Sequence, residues 1–308
     1  MRPRSITHVR QLAGAVRQRV ARSGAERSRR ATLEGARPHG ADAEQHSLRV
    51  ELSIARARAL RTLHWTPDVV PVAQVERFFD TFSLVDPNIP YVRLGGPGDG
   101  GYVLPDDLDG LVGCLSPGVA DRADFEAAML SREVPCHLMD ASVAGPPMDH
   151  QLISFRPEFL GGVERPGWTT LQRWVDADCP PNGDLILQMD IEGHEWQVLA
   201  STPTLVLRRF RMLILELHDL HLLATKSGLN RVEEVFHRLN QQFVLVNVHP
   251  NNYEFPVVYG TLELHPVVEA TWLRRDRVRE MSPGLLRHAL EASNDPELPD
   301  FELDPRWA

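Results

Sequence analysis

The sequence predicts an α/β domain built on a seven-stranded, mostly parallel sheet with helices on both faces. From residue 91 onward, short apolar runs alternate with helical segments, which is the pattern of consecutive βαβ units. The runs Leu185–Asp190 and Met212–Leu217 are apolar on both faces, as expected of strands that helices cover on both sides. A chain of 308 residues with 43% hydrophobic residues is long enough to bury such a core without disulfide or metal staples.

The predicted elements follow one another at the spacing of a doubly wound fold. The predicted strands are Leu111–Leu115, Cys136–Met139, Leu152–Phe155, Leu185–Asp190, Met212–Leu217, Phe243–Val248 and Val267–Arg274. Helices fit residues 121–132, 169–177, 194–200 and 229–241 between them. We therefore predict a catalytic domain over residues 91–276. The proline-rich acidic tail at 277–308 predicts a helix followed by an extended, loosely held segment.

The N-terminal part of the chain differs in composition. Residues 1–46 predict a basic leader, either disordered or helical, and residues 1–38 hold ten arginines against two acidic residues. Residues 47–90 predict a helical extension or lid, with helices over 47–64 and 72–84 that prolines interrupt. This extension is also a candidate surface for forming a homo-oligomer.

Charge, hydropathy and cysteine content exclude several classes of function. The net charge of −9 divides into +8 for residues 1–38 and −17 for the remainder, and an acidic body argues against a nucleic-acid substrate. No run of 18 apolar residues is present, so we expect no transmembrane segment. The N-terminus has no apolar signal region, and three scattered cysteines predict neither a disulfide framework nor a metal knuckle. A cytoplasmic location is the expectation.

The densest group of chemically active residues follows two neighbouring predicted strands. Asp190 and Glu192 come directly after one strand, and Glu216 and His218 end the next. Ligands of open α/β sheets bind beyond the carboxyl ends of the strands. A histidine there can act as a general base, because it titrates near neutral pH. The set Asp190, Glu216 and His218 could alternatively bind a divalent ion such as Mg²⁺ or Mn²⁺.

Three further segments are candidates for binding a nucleotide-like ligand. The small-residue turn Ser116-Pro117-Gly118 follows the first strand but matches a GxGxxG fingerprint poorly, and a plain turn fits it equally well. Asp140 ends the second strand 22 residues after Gly118, at a spacing suited to a ribose-binding acid, although a turn-former also fits. Five glycines lie within residues 95–101 and either form a hairpin turn or expose amide groups to an anion.

The order of these elements resembles the FkbM-type methyltransferases, and most closely the branch with a DGGY motif. The likeness covers about residues 90–275. It rests on these segments, in this order: LGGPGDGGYVL, GCLSPGVADRADFE, a strand ending in Asp140, TLQRWV, DLILQMDIEGHEWQVL, LILELH, VNVHPNNY and VVEATWLRR. The resemblance implies a class I methyltransferase with a Rossmann-like sheet of seven strands.

The resemblance also implies a cofactor and roles for particular residues. S-adenosyl-L-methionine would be the methyl donor, and a hydroxyl group of a sugar or secondary metabolite the acceptor. By the same resemblance, residues of three motifs and one acid at a strand end contact the cofactor. They are Asp99, Gly100, Gly101 and Tyr102, then Ser116, Pro117 and Gly118, then Asp140, and finally Asp190 of the DxEGxE motif that also contains Glu192 and Glu195. The turn SPGVAD departs from the family's usual acid followed by GxGxG.

Methyl transfer to a hydroxyl group needs positioning and the removal of a proton. His218, oriented by Asp190 or Glu192, could be the base, and we favour this over a metal because no strict ligand motif is present. Competing interpretations are a nicotinamide-dependent dehydrogenase, a methyltransferase of a peptide or protein, and a non-catalytic binding protein on the same fold. The poor GxGxxG match argues against the dehydrogenase. Clustered carboxylates argue against the non-catalytic protein.

Overall fold

The computed structural model describes residues 68–308. The predicted leader and the predicted helix over 47–64 therefore lie outside the described residues. Fifteen strands are described. In chain order, β1 to β15 are Val85–Asp86, Tyr91–Gly95, Gly101–Pro105, Leu111–Pro117, Cys136–Met139, Ile153–Arg156, Phe159–Leu160, Trp168–Thr169, Asp184–Met189, Phe210–Leu217, Phe243–Pro250, Val257–Tyr259, Leu262–Leu264, Val268–Arg274 and Ser282–Pro283.

Six α-helices and three 3-10 helices lie within the described range. In chain order, α1 to α6 are Val72–Phe79, Asp124–Leu130, Leu171–Asp178, Glu195–Ser201, Thr204–Leu207 and Lys226–Asn240. The 3-10 helices are Leu220–Ala224, Arg275–Arg277 and Pro305–Trp307. None of the helices between residues 68 and 308 is long and apolar enough to cross a lipid bilayer.

Seven strands form the central sheet in the order β11-β14-β10-β9-β4-β5-β6. All neighbours pair in parallel except β14, which is antiparallel to both β10 and β11. These are the seven strands that the sequence predicts, so the seven-stranded, mostly parallel α/β sheet is confirmed. The strand order reverses at β4, because the chain first adds β5 and β6 on one side and then β9 and β10 on the other.

The sheet separates two apolar clusters, because alternate residues of each strand face opposite sides. On one side, residues such as Leu187 and Leu215 pack with the buried faces of α1, α3, α4 and α6. On the other side, Ile186 and Ile214 pack with α2 and with the β2–β3 hairpin. Helices therefore lie on both faces, but a hairpin takes part of the second face.

The helix α6 shows why the predicted helix boundaries differ slightly from the observed ones. Its buried residues recur at helical spacing through Leu229, Val232 and Phe236, which is the pattern that predicts a helix over 229–241. The helix begins three residues earlier, because the Thr225 hydroxyl accepts a hydrogen bond of 3.1 Å from the Gly228 amide. Thr225, Lys226 and Ser227 are polar, so the apolar pattern could not show that the helix begins there.

The described residues that flank the sheet pack against it, and they correct the prediction for the tail. The described part of the predicted lid is packed into the core, where Phe78 and Phe79 of α1 are buried. The tail at 277–308 is not loosely held, since Leu298, Leu303 and Trp307 are buried and β15 pairs with β1. The helix predicted near its start is a single 3-10 turn. Periodicity could not show this packing, because the tail is held by isolated side chains between prolines.

Candidate active site

The candidate site lies where β4 and β9 end side by side. These two strands are parallel neighbours at the point where strand order reverses, which is where open α/β sheets bind ligands. The two turns that follow them are in contact, since the Asp190 amide donates to the Pro117 carbonyl at 3.4 Å. The turn after β4 and the turn after β9 therefore border one cleft.

This cleft brings together residues from three separate motifs. Its lining consists of Asp99, Gly100, Tyr102, Gly118, Val119, Ala120, Asp121, Arg122, Asp124, Phe125, Glu126, Gln188 and Asp190. Five of the predicted cofactor-binding residues are among them: Asp99, Gly100, Tyr102, Gly118 and Asp190. Four other described residues were predicted to bind the cofactor but do not line the cleft. They are Gly101, Ser116, Pro117 and Asp140.

Gly118 is required by the close approach of the two turns. Its φ of +89° lies in the left-handed region, where a side chain is unfavourable. A Cβ atom at this position would lie 1.7 Å from the Asp190 carbonyl oxygen. The turn after β4 can therefore contact the turn after β9 only with glycine at position 118.

Asp140 holds the loop after β4 instead of facing the cleft. Its carboxylate accepts hydrogen bonds from the Ala120 amide at 2.9 Å and from the Ser142 amide at 2.7 Å. Ala120 has a φ of +46°, which the bond to Asp140 helps to maintain. The observed contacts of Asp140 are those of a turn-former, and its predicted contact with a ribose stays a prediction.

A buried chain of hydrogen bonds supports the floor of the cleft. The Ser116 hydroxyl contacts Gln188 Oε1 at 2.6 Å and also contacts a Glu126 carboxylate oxygen. The amide nitrogen of Gln188 donates to the Tyr102 hydroxyl at 3.0 Å. Burial raises the pKa of Glu126, and the hydrogen bond from Ser116 opposes this shift. Ser116 therefore contacts two residues that line the cleft, but it does not line the cleft itself.

The glycine-rich segment forms the turn of the β2–β3 hairpin, one of the two alternatives considered for it. Gly95 pairs with Gly101, and the turn between them presents Asp99 and Gly100 to the cleft. The Asp99 amide donates to the Asn294 carbonyl at 3.1 Å, and the Asn294 side chain donates to Asp99 Oδ1 at 3.3 Å. Burial and the nearby Glu269 raise the pKa of Asp99.

His218 is the centre of an acidic cluster beside the cleft. Its Nε2 atom lies 3.8 Å from Asp190, 3.7 Å from Glu192 and 3.6 Å from Glu216, measured to the nearest carboxylate oxygen. Its Nδ1 atom lies 3.2 Å from Glu195 Oε1. The structure thus brings together the three predicted catalytic residues and the three predicted metal ligands around one imidazole ring.

Glu195 organises this cluster. Its side chain is fully buried and accepts hydrogen bonds from the Ile191 amide at 2.9 Å and from the Gly193 amide at 3.0 Å. The turn needs such a support because Glu192 and Gly193 both have a positive φ. The Glu192 side chain is 63% exposed, so it is the member of the cluster that meets solvent.

The electrostatic environment of the cluster is unusual. Burial raises the pKa of Asp190 to about 7, against the opposing effect of His218. Burial, followed by the Asp190 charge, also raises the pKa of Glu216 well above its usual range. Burial alone would lower the pKa of His218, but Glu195, Asp190 and Glu216 together raise it well above its usual value. The surrounding carboxylates therefore favour the charged form of the imidazole.

Asp190, Glu216 and His218 also have the arrangement of a metal-ligand set. One ligand atom from each lies within 4.8 Å of the other two. The separations from Nε2 are longer than hydrogen bonds, and the Asp190 Oδ1 atom is buried without a hydrogen-bond partner. Two carboxylates and one imidazole suit a first-row divalent cation. The residues present therefore fit such an ion.

Several residues at the site were missed by the sequence reasoning. Gln188 interrupts an otherwise apolar strand, and this was a usable signal. Asn251 follows the sixth predicted strand, where its amide fits either a turn or a contact with a polyhydroxylated ligand; in the structure it donates to Glu216 Oε1 at 3.0 Å. Asn294 gave no signal, because it reaches the site from a distant segment.

Comparisons with known proteins give no relative for this chain. No family model matches it, and neither the curated proteins nor the solved structures contain a match. The resemblance to the FkbM-type methyltransferases therefore depends on the quoted motifs and on the geometry that they adopt.

Proposed function

We propose that the protein is an S-adenosyl-L-methionine-dependent O-methyltransferase that acts on a hydroxyl group of a sugar or secondary metabolite. The observation that carries the proposal is the cleft where β4 and β9 end. Residues of the DGGY element, Gly118 of the turn after β4 and Asp190 of the DxEGxE motif are distant in sequence and share this one cleft. The resemblance implied that these three elements contact the methyl donor.

A divalent cation held by Asp190, Glu216 and His218 fits the site better than a metal-free histidine base. His218 Nε2 lies 3.8 Å from Asp190 and 3.6 Å from Glu216, too far for hydrogen bonds, and the Asp190 Oδ1 atom is buried without a hydrogen-bond partner. Asp190 both lines the cleft and belongs to the ligand set, which places the proposed cation at the edge of the cleft. We therefore revise the preference for a metal-free base.

The chain's own residues have separable tasks in this mechanism. S-adenosyl-L-methionine would supply a methyl group on a sulfonium sulfur, and Asp190, Glu216 and His218 would hold a cation that could lower the pKa of a nearby hydroxyl group. Glu195 fixes the imidazole of His218 through Nδ1. Glu192 is the exposed carboxylate nearest His218 Nε2 and can pass the acceptor's proton to solvent. The Gln188 and Tyr102 network holds the floor rigid for an in-line approach.

The test also distinguishes other methyl acceptors and a non-catalytic role. A peptide or protein acceptor would use the same donor site, whereas a non-catalytic protein would bind without turnover. We propose a small-molecule or glycan acceptor, no nucleic-acid partner and a cytoplasmic location. The location agrees with three cysteines that are all free thiols.

The first experiment measures ligand binding and turnover in the full chain. We expect S-adenosylhomocysteine, but not NAD, to raise the melting temperature, because the cleft is proposed to bind the adenosyl donor. Methyl transfer to a panel of hydroxylated sugars, followed as release of S-adenosylhomocysteine, should fall at least 100-fold in the Asp190→Asn variant. The exposed Asp149→Asn variant is the matched control and should retain wild-type turnover.

Each contrary result removes a defined part of the proposal. Stabilisation by NAD alone would point to the dehydrogenase. Stabilisation by S-adenosylhomocysteine without turnover on sugar, metabolite or peptide acceptors would favour a binding protein. Turnover that survives exhaustive chelation would reject the cation and restore the histidine base.

A further inference from the structure

A second group of buried ligand-type side chains lies at the same edge of the sheet. His249 is the next-to-last residue of β11 and lies directly opposite Glu269 of β14, while Glu291 reaches them from the C-terminal segment, residues 284–304. One ligand atom from each lies within 4.8 Å of the others. The proposed catalytic set contains none of these three residues.

The geometry of this group leaves polar atoms without hydrogen bonds. His249 Nδ1 lies 3.6 Å from Glu269 Oε2 and 3.9 Å from Glu291 Oε2, and its Nε2 lies 3.9 Å from Asp300. Both ring nitrogens and Glu291 Oε2 are buried without a hydrogen-bond partner. The side chains of His249 and Glu291 are 3% and 0% exposed. These atoms are therefore shielded from bulk solvent.

The separations suit ligands around a cation better than direct hydrogen bonds. Hydrogen bonds of this type are about 2.7–3.2 Å long. Ligand atoms bound at about 2.1 Å to an octahedral ion are about 3.0 Å apart when adjacent and about 4.2 Å apart when opposite. The observed 3.6 Å and 3.9 Å lie between these limits.

The negative charge of the carboxylates around the group also favours the binding of a cation. Glu269 shares its surroundings with two further carboxylates, since Asp99, Glu216 and Glu269 offer oxygen atoms within 4.8 Å of one another. Arg93 Nη1 lies 3.6 Å from Glu291 Oε2 and supplies one positive charge beside these carboxylates, while its Nε and Nη2 atoms donate to the Gly96 and Gly98 carbonyls. Buried carboxylates at this density are costly unless a positive charge compensates them.

We infer that His249, Glu269 and Glu291 form a second divalent-cation site, which fastens the C-terminal segment to the sheet. The imidazole ligand favours a first-row transition metal such as Mn²⁺ over Ca²⁺, which takes oxygen ligands. His249 and Glu269 belong to neighbouring strands, whereas Glu291 is the C-terminal segment's ligand. Three residues further on, Asn294 contacts both Asp99 and Glu269. A cation at this site therefore also positions the residue that holds Asp99 at the cleft.

The first test counts Mn²⁺ ions bound to the full-length protein after removal of metals, by equilibrium dialysis with electron paramagnetic resonance. We expect two ions in the wild type and one in the Glu291→Gln variant, whose neutral amide keeps the shape of the side chain. Glu297→Gln, an exposed change in the same segment, is the control and should bind two. Wild-type binding by Glu291→Gln would overturn the inference.

The Asp190→Asn variant separates this inference from the proposed function. It should lose the other ion and keep the one at His249. If only the proposed catalytic cation is wrong, the wild type binds one ion, Asp190→Asn binds one, and Glu291→Gln binds none. If only the second site is wrong, Asp190→Asn binds none.

The second test needs no variant. Hydrogen exchange of the wild-type chain is compared with and without Mn²⁺, and amides of residues 284–304 should exchange at least tenfold more slowly with the ion. Unchanged exchange in that segment under saturating Mn²⁺ would show that no cation fastens it, and the inference would fall.

Discussion

At the scale of single residues, burial decides which task an identical side chain performs. Glu192 and Glu195 belong to one motif and both lie within reach of His218. Glu195 is fully buried and accepts two backbone hydrogen bonds, so it shapes the turn and orients the imidazole. Glu192 is largely exposed and can exchange protons with water. Sequence spacing could place both at a strand end, but only the structure distinguishes their tasks.

His265 gives the chain a stability that depends on pH. It is buried, its Nε2 donates to the Glu302 carbonyl at 3.1 Å, and burial lowers its pKa from 6.5 to about 4. The unfolded chain binds a proton below about pH 6.5 that the folded chain does not. Stability is therefore fully present above pH 6.5 and is lost as pH falls toward 4, by roughly 3 kcal/mol.

The His265→Gln variant checks this prediction. Urea unfolding at pH 7.5 and pH 4.5 should show a smaller loss of stability on acidification for the variant than for the wild type, because glutamine does not titrate. His150→Gln, at an exposed position, should keep the wild-type pH dependence. An identical loss in the His265 variant would contradict the assignment.

Residue types within motifs could be predicted from the sequence, but contacts made across the fold could not. Asp190, Glu216 and His218 follow predictable strands, so their meeting at one edge follows from the parallel sheet. Glu269 lies near the start of β14. Because β14 runs antiparallel to β10 and β11, its start lies at the edge where those two strands end. Glu291 lies in a segment with no periodicity, so no pattern could place it beside His249.

At the scale of elements, strands were easier to predict than the segments that hold them in place. Apolar runs identify strands because burial between two helical layers leaves no polar position along them. The glycine-rich run of the β2–β3 hairpin fits both a turn and an anion-binding loop, so the sequence alone does not predict the hairpin. The C-terminal segment was predicted to be loose, but buried asparagines fasten it. Asn252 Nδ2, for example, donates to the Asp295 carbonyl at 2.8 Å.

The contact between the C-terminal segment and the hairpin turn should tune binding at the cleft. Replacing Asn294 with alanine removes the side-chain donor to Asp99 and to Glu269. We expect the dissociation constant of S-adenosylhomocysteine, measured by calorimetry, to rise about tenfold. This corresponds to about 1.4 kcal/mol, the scale of one hydrogen bond to a charged group.

Ser293 provides the matched control for that change. Ser293→Ala alters the neighbouring residue of the same segment and should change the dissociation constant by less than twofold. A ligand that binds Asn294→Ala and the wild type equally would show that the segment does not position Asp99. Circular dichroism would verify that both variants keep the fold.

At the scale of the whole molecule, the C-terminal residues 277–308 belong to the main core. Trp307 is 3% exposed and its ring lies 5.5 Å from that of Phe79 and 6.3 Å from that of Phe236. Phe79 belongs to α1 and Phe236 belongs to α6. The two ends of the described chain therefore meet in one aromatic cluster, and the predicted boundary at residue 277 does not separate a tail from the core.

This packing predicts that residues 68–308 unfold as one cooperative unit. Trp307→Ala should lower the free energy of unfolding by about 3–5 kcal/mol, because the cavity lies in a rigid aromatic cluster. Leu205→Ala, at a side chain that is 77% exposed, should change it by less than about 0.5 kcal/mol. Urea unfolding followed by circular dichroism and by tryptophan fluorescence should give coincident transitions in the wild type. Two results would show that residues 277–308 unfold independently of the sheet. One is a separate early transition in fluorescence, and the other is a loss of unfolding free energy below about 1 kcal/mol in Trp307→Ala.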